Sequence, residues 1–199
     1  MNNIESKESE IIFAKVKDSA IIPSKEEENA GFDIYACWDE VDMKDRIIQP
    51  LTTKLIPTGI ACALPTEYYF QVEERGSTGS KGIKKSAGVV DSGYRGEIFI
   101  AISNVNDKPV IFGDKDEYLK IAQSEFEELA KDNKIELTEE DKNAIINDIS
   151  ASIFYPETKA IAQLVLHKVD NLPVKEISYD ELKNIPSKRG TGALGSSGK

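Results

Sequence analysis

The residues with the clearest chemical potential lie in one short stretch, residues 87–97 (AGVVDSGYRGE), where an apolar segment runs into Asp91 and a turn follows. A carboxylate can activate water, an aromatic ring can stack on a ligand, and a guanidinium can bind an anion. Asp91, Tyr94 and Arg95 therefore form a candidate catalytic group. Asp and Gly are also common turn residues, so the stretch by itself equally fits an ordinary solvated turn.

Two glycines, Gly93 and Gly96, are expected to shape this turn. Glycine adopts backbone angles that other residues resist, so the chain can reverse sharply between two strands. The apolar residues 98–102 (IFIAI) follow immediately. We therefore predict a β-hairpin, with Asp91 and the turn residues held at its tip.

Four further motifs accompany this stretch along the chain, each combining polar or charged residues with glycine or an apolar strand. They are residues 30–36 (AGFDIYA), 75–83 (RGSTGSKGI), 161–165 (IAQLV) and 189–198 (RGTGALGSSG). With residues 87–97 placed third, the five resemble, in order, the five motifs of the trimeric dUTPase family. Five short matches in one order are far more specific than any one of them, and they span most of the chain.

The resemblance implies a dUTP diphosphatase that hydrolyses dUTP to dUMP and pyrophosphate, with a water activated by Asp91 attacking the α-phosphorus. Mg²⁺ is the implied cofactor, held by the substrate phosphates and not by a direct protein ligand set, with Asp33 reaching it through a water. The family assembles as a homotrimer with shared active sites. The implied substrate-binding residues are Asp33, Arg75, Gly76, Ser77, Gly88, Val89, Val90, Tyr94, Gln163, Arg189, Leu194, Gly195 and Ser196.

Some of these positions carry an alternative or depart from the family pattern. Asp33 stands inside an apolar strand pattern, where it could equally be a buried carboxylate that accepts backbone hydrogen bonds. Gly76 stands where a serine is usual, so either Ser77 or the backbone would contact phosphate. Leu194 replaces the usual phenylalanine, and can cover a base by apolar contact but cannot stack on it as a ring.

The chain between the motifs predicts a mainly β fold, because many short β-branched and aromatic runs are separated by turn signals. The resemblance implies a jelly-roll-like barrel, and we expect a single domain over residues 1–199. Residues 112–152 are the exception, a two-helix insertion. Apolar spacing predicts helices over residues 117–131 and 138–150, the second opened by a capping box at Thr138.

The C-terminal residues 187–199 are rich in glycine and serine and contain Arg189. Composition alone is typical of a disordered tail. The resemblance to the fifth motif favours a flexible lid that orders over the substrate phosphates.

Charge and cysteine content limit the classes of partner. The net charge is −10, but residues 114–141 hold 11 acidic and 4 basic residues, so most of the excess lies in one segment. This acidity argues against binding duplex nucleic acid but not against a small triphosphate. We see no membrane span and no signal peptide, and expect a cytoplasmic protein. Cys37 and Cys62 are expected to be buried free thiols, and the single His167 a structural residue.

The sequence is also compatible with two other functions. One is a dCTP deaminase on the same fold, acting alone or together with dUTP cleavage, which would use a glutamate at the base. Glu97 follows the turn as it does in dUTPases, and we see no second glutamate pattern. The other is a regulatory role in which the helical insertion binds a protein partner.

Overall fold

The computed structural model describes residues 10–39, 41–134, 136 and 138–191, except for the side chain of Ile145. The chain divides into two compact units that meet at Val169 and Asp170. The first unit contains twelve strands among the described residues: β1 Ile12–Lys15, β2 Gly31–Ile34, β3 Ile47–Ile48, β4 Thr53–Pro57, β5 Ile60–Ala63, β6 Tyr68–Glu73, β7 Ile83–Lys85, β8 Val89–Asp91, β9 Phe99–Asn104, β10 Val110–Phe112, β11 Ile153–Tyr155 and β12 Ala162–Lys168.

These strands form four small sheets, with the orders β1-β5, β11-β10-β3, β2-β12-β6-β8 and β4-β9-β7. In the four-stranded sheet, every second side chain faces the core, among them Ile34, Phe70, Val72 and Leu164. The intervening positions form an outer face that carries the polar motif residues. This alternation places the predicted site on the solvent side of the sheet.

Among the described residues, the α-helices of the first unit are a short one, α1 Gly76–Gly79, and two longer ones, α2 Lys115–Asp132 and α3 Glu139–Ser150. A 3-10 helix at Met43–Arg46 precedes β3. The two helices predicted from apolar spacing are confirmed, and the Thr138 hydroxyl and the Asp141 carboxylate form the predicted capping box. The ring of Tyr118 in α2 packs edge-on against Phe154 of β11, at a centroid distance of 6.2 Å. The helices are thereby attached to the β structure.

The position of α2 and α3 follows from strand direction. Strands β10 and β11 pair in parallel, with Val110 opposite Ile153 and Phe112 opposite Tyr155. Parallel neighbours need a crossover connection, because the chain must return to the starting end of the first strand. The two helices form that crossover.

The second unit holds the described part of residues 170–199, with one helix, α4 Tyr179–Lys183. The Ser178 hydroxyl and the Glu181 carboxylate cap its first turn reciprocally. None of the helices in the described ranges has the length and apolar content that a membrane crossing requires.

Candidate active site

The turn after Asp91 does not belong to a hairpin, so that prediction is wrong. Strand β8 pairs with β6, whereas β9 lies between β4 and β7 in another sheet. The turn therefore carries the chain from one sheet to the other. Ile98 donates a backbone hydrogen bond to Ile60, and the Glu97 carboxylate accepts one from Gly59, which fix the far end of the turn.

Of the two glycines in this turn, Gly96 is needed for the room that it leaves and not for its backbone angle. Neither Gly93 nor Gly96 has a φ in the left-handed region, contrary to the sequence prediction. A Cβ at Gly96 would lie 2.5 Å from the Tyr94 hydroxyl oxygen, whereas one at Gly93 would meet nothing within 4 Å. The Tyr94 hydroxyl donates to the Glu97 carbonyl at 2.9 Å. Gly96 thus leaves the space in which the tyrosine ring is fixed.

Beside this ring lies a pocket of about 260 Å³, lined by Val89, Val90, Asp91, Tyr94, Glu97, Ile98 and Phe99. Strand β8 forms one wall and is an edge strand among the strands that the structure describes. Val72 donates its backbone N–H to the Gly88 carbonyl, so Gly88 and Val90 direct their backbone groups toward β6. By the alternation of antiparallel pairing, the N–H and carbonyl of Val89 face the free edge.

Arg95 has a structural role, although its type and position suggested an anion contact. Its guanidinium donates to the carbonyls of Ser92, Tyr94 and Cys62, at 2.6, 2.9 and 3.5 Å. These three hydrogen bonds, all from Nη1, stabilise the turn at the surface of the chain.

The second group of motif residues lies at the other end of the same sheet. Asp33 of β2 forms an ion pair with Arg75, with 3.0 Å between Oδ1 and Nε, and both side chains are about one-third exposed. This partner explains why an acidic residue is tolerated within the strand, and neither sequence interpretation of Asp33 anticipated it. The terminal guanidinium nitrogens of Arg75 contact no acceptor in the described part of the chain.

Gln163 lies between the strands that carry these two residues. It is opposite Asp33 on one side and Glu73 on the other. Its Nε2 donates to the Glu74 carbonyl at 2.9 Å, which orients the backbone immediately before Arg75. A Cβ at Gly31 would come within 2.7 Å of the Gln163 side chain, so glycine is needed there for the amide to pass.

The turn after Arg75 is the four-residue helix α1. The buried Thr78 hydroxyl donates to the Arg75 carbonyl and accepts from the Arg75 N–H, which closes the turn. Gly76 and Ser77 are exposed, and a Cβ at Gly76 would meet no atom within 4 Å. The Ser77 hydroxyl lies 3.2 Å from that of Tyr155. The predicted phosphate-facing loop is thus a compact turn that continues into β7, a strand that the sequence prediction missed.

The two groups of residues lie on the same face of the sheet but far apart from each other. Gln163 connects Asp33 to Glu73 in one row, and Tyr69 pairs with Asp91 in another. Asp33 and Asp91 are separated by three strand spacings of about 4.8 Å across the sheet and by four residues of about 3.3 Å each along it, which is roughly 20 Å on the diagonal. One copy of the chain therefore does not bring the carboxylate of the turn together with Arg75.

The fifth motif lies in the second unit, where Ser187 accepts backbone hydrogen bonds from Arg189 and Gly190. Leu194, Gly195 and Ser196, which the sequence assigned to substrate binding, lie outside the described residues.

Other reactive side chains have no place in the site. His167 stacks on Tyr69 with 5.3 Å between the ring centroids. Cys37 and Cys62 are free and buried, as predicted. Burial raises the pKa of the Cys62 thiol, and the Arg95 guanidinium only partly opposes that shift. Within the described ranges, no three His, Cys, Asp or Glu side chains converge as metal ligands would.

Comparison with known proteins identifies the family of the chain. The family model described as dUTPase matches residues 17–144. The chain belongs to the dUTPase family. The deoxyuridine 5'-triphosphate nucleotidohydrolase of Leptospira interrogans is 33% identical over 105 residues, which are 51% of this chain and 70% of the relative. The enzyme of the same name from fowlpox virus is 34% identical over 133 residues, 65% of this chain and 84% of the relative.

Structural comparison confirms the mainly β, dUTPase-like fold class. A mutant dUTPase of Staphylococcus bacteriophage 80alpha, solved with dUpNHpp, has a TM-score of 0.61 to this chain. The alignment covers 94% of this dUTPase-family chain and 98% of the phage chain, at 17% sequence identity. At that identity the likeness establishes the fold alone.

Proposed function

We propose that this chain hydrolyses dUTP to dUMP and pyrophosphate. The observation that carries the proposal is the pocket at the free edge of β8, which has an exposed carboxylate, Asp91, and a fixed aromatic ring, Tyr94, in its lining. Family membership and the nucleotidohydrolase relatives support dUTP as the substrate. The relatives described above are named nucleotidohydrolases, which favours dUTP cleavage over the runner-up from the sequence, a dCTP deaminase.

In this mechanism Asp91 accepts a proton from a water that it holds toward the α-phosphorus. The water oxygen forms a bond to that phosphorus, and the bond from phosphorus to the bridging oxygen of the β-phosphate breaks. Pyrophosphate leaves, and the proton passes from Asp91 to solvent. Positioning and electrostatics supply most of the rate enhancement in such transfers, because the protein has little covalent work to do.

We assign base and sugar recognition to this pocket. The free N–H and carbonyl of Val89 offer a donor and an acceptor side by side, which matches the hydrogen-bonding edge of uracil. Gly88 and Val90 hold this edge in place through their bonding to β6. Tyr94 lies under the deoxyribose and leaves no room for a 2′-hydroxyl.

The phosphate chain is assigned to the second group. The unengaged terminal nitrogens of Arg75 can bind phosphate oxygens as a fork, while Asp33 holds the guanidinium at Nε. Gly76, Ser77 and Gln163 lie around that position, in α1 and beside it. From the sequence alone, Arg189, Leu194, Gly195 and Ser196 close over the substrate as a lid.

The donor set fits a Mg²⁺ ion that arrives with the triphosphate. Among the described residues there is no cluster of three ligands that could form a protein cage, and one oxygen of Asp33 is already paired with Arg75. Asp33 is the residue placed to contact the waters of such an ion. When bound, Mg²⁺ neutralises charge on the phosphate oxygens.

A complete site then needs more than one copy of the chain. Because Asp91 and Arg75 are far apart on one sheet face, we assign them, within one site, to different subunits of a homotrimer. Each subunit contributes its edge strand β8 to one site and its Arg75 end to another.

The test is pyrophosphate release from dUTP, dTTP, dCTP and UTP, with ammonia release measured in the dCTP sample. We expect efficient cleavage of dUTP only, and a loss of at least about 100-fold in kcat for Asp91→Asn, because the water loses its base. Turnover of UTP comparable to that of dUTP would contradict the role of Tyr94. Ammonia from dCTP would instead establish the deaminase.

A further inference from the structure

The sequence left open whether the Ser77 side chain or the backbone of its turn contacts phosphate. The Ser77 hydroxyl neighbours Tyr155, a fully buried residue of β11 with 1% of its surface exposed. The two hydroxyl oxygens are 3.2 Å apart, and either could in principle donate to the other. The direction of this hydrogen bond decides what Ser77 can offer a substrate.

The hydroxyl proton of Tyr155 already takes part in another hydrogen bond. The Tyr155 hydroxyl donates to the Ala160 carbonyl at 2.7 Å, in a buried position. A phenol has one proton and can accept with its lone pairs. Ser77 must therefore be the donor, and its single proton points at Tyr155 and away from solvent.

The same strand makes a second contact with the turn. Lys81, just after α1, directs its ammonium toward the Phe154 carbonyl at 3.5 Å. The Tyr155 ring is held in turn by Phe112, edge-on at 5.7 Å. Strand β11 thus provides a rigid support on which the α1 turn rests.

We propose that Ser77 and Tyr155 form a hydroxyl tether that fixes the α1 turn on β11, and that Ser77 is a positioning residue and not a phosphate ligand. Phosphate contact at this turn then falls to Arg75 and to the backbone. The inference rests on the proposed function, because it concerns how the turn meets the triphosphate. Loss of either hydroxyl releases the turn and weakens triphosphate binding in the same way.

The experiment compares Ser77→Ala, Tyr155→Phe and the double variant in the full-length chain. Affinity is measured for a non-hydrolysable imido analogue of dUTP and for dUMP, together with kcat, KM and Tm. Each single variant is expected to raise the Kd of the analogue about 3- to 10-fold, the effect of one hydrogen bond. The double variant is expected to be no weaker than either single one, and dUMP affinity to change less than about twofold, since the lost contact acts on the outer phosphates.

The set of variants includes controls for stability and for the loss of a phenol hydroxyl. Tyr155→Phe also leaves the buried Ala160 carbonyl without its donor and so lowers Tm, whereas Ser77→Ala keeps that bond. Tyr118→Phe removes a phenol hydroxyl from α2 but retains the ring contact with Phe154, and should change none of the kinetic values.

Several results would overturn the tether. A Ser77→Ala effect at least tenfold larger than that of Tyr155→Phe, or effects that multiply in the double variant, would make Ser77 a direct ligand. A fall in Tm with unchanged analogue affinity would make the contact purely structural. If the parent chain fails to cleave dUTP, the proposed function fails as well, whereas an active parent with unaffected variants refutes the tether alone.

Discussion

The role of a side chain in this protein depends more on the group that it contacts than on its residue type. Asp33 could be recognised from the sequence as a carboxylate that needed compensation, but not as the counter-ion of Arg75, because strand order alone brings the two together. Arg95 shows the reverse case, a cation whose Nη1 is bonded to three carbonyls of its own surroundings. Sequence patterns indicate which residues are chemically capable, and the fold determines which of them are available.

The space around Tyr94 gives a test of the pocket at this scale. Gly96→Ala places a methyl group where the Tyr94 hydroxyl lies, so the ring must move. We expect a loss of about 10-fold or more in kcat/KM for dUTP, a magnitude typical of misplaced substrate contacts. The dUTP over UTP preference should fall as well. Steady-state kinetics with both nucleotides measure this.

Gly93→Ala is the matched control, because the same methyl group there meets open space and the backbone angle is unstrained. It should retain the parent kinetics. Equal losses in the two variants would show that the turn needs glycine for backbone flexibility and not for the room that it gives Tyr94.

At the level of secondary-structure elements, sequence patterns that span only a few neighbouring residues predicted a helix correctly. The capping box at Thr138 and the apolar spacing after it predicted α3, because both lie within one turn or two of the chain. The hairpin prediction failed because adjacent strands usually pair, whereas here β8 and β9 enter different sheets. Strands β7 and β10 were missed because three residues give too short a pattern to register.

The cap of α3 makes its stability depend on pH. Hydrogen bonds from the side chain and backbone of Thr138 lower the pKa of Asp141 below its ordinary value of 3.8. The stabilisation is therefore fully present above pH 3.8 and is lost as the pH falls through the lowered pKa. Asp141→Asn should speed amide hydrogen exchange in α3 at pH 7, and this difference from the parent should shrink below pH 3.8.

Asp148→Asn, on the same helix but outside the cap, serves as the control and should leave the exchange of the first turn unchanged. A difference between Asp141→Asn and the parent that stays constant from pH 7 to pH 3 would show that the carboxylate does not act through its charge.

At the level of the whole molecule, the main property is the distance between the two groups of residues assigned to the proposed site. The sequence could predict which motifs belong together by resemblance, but not that one sheet face holds them roughly 20 Å apart. That distance depends on the strand order β2-β12-β6-β8, which no local pattern contains. It is also the observation that supports the proposal of a site shared between copies of the chain.

A mixing experiment tests the shared site. Asp91→Asn and Arg75→Ala chains should each be inactive alone. If a site takes the two residues from different subunits, random co-assembly at equal amounts restores about a quarter of the sites, since each site needs one intact partner of each kind. Activity after joint refolding, against the separately refolded variants, measures this.

Recovery near zero, with mixed trimers verified by differently tagged chains, would place both residues in the same subunit. Two tagged parent chains, refolded in the same way, set the full activity.

The parallel pairing of β10 with β11 has a consequence for engineering. Such a connection needs only about a dozen residues, yet α2, α3 and their loops occupy the whole stretch between Phe112 and Ile153. The length and content of that stretch can therefore be exchanged without altering any strand register. A sensor or affinity module grafted there would adjoin the strand that carries Tyr155, so its motions would be transmitted to the α1 turn that this strand contacts.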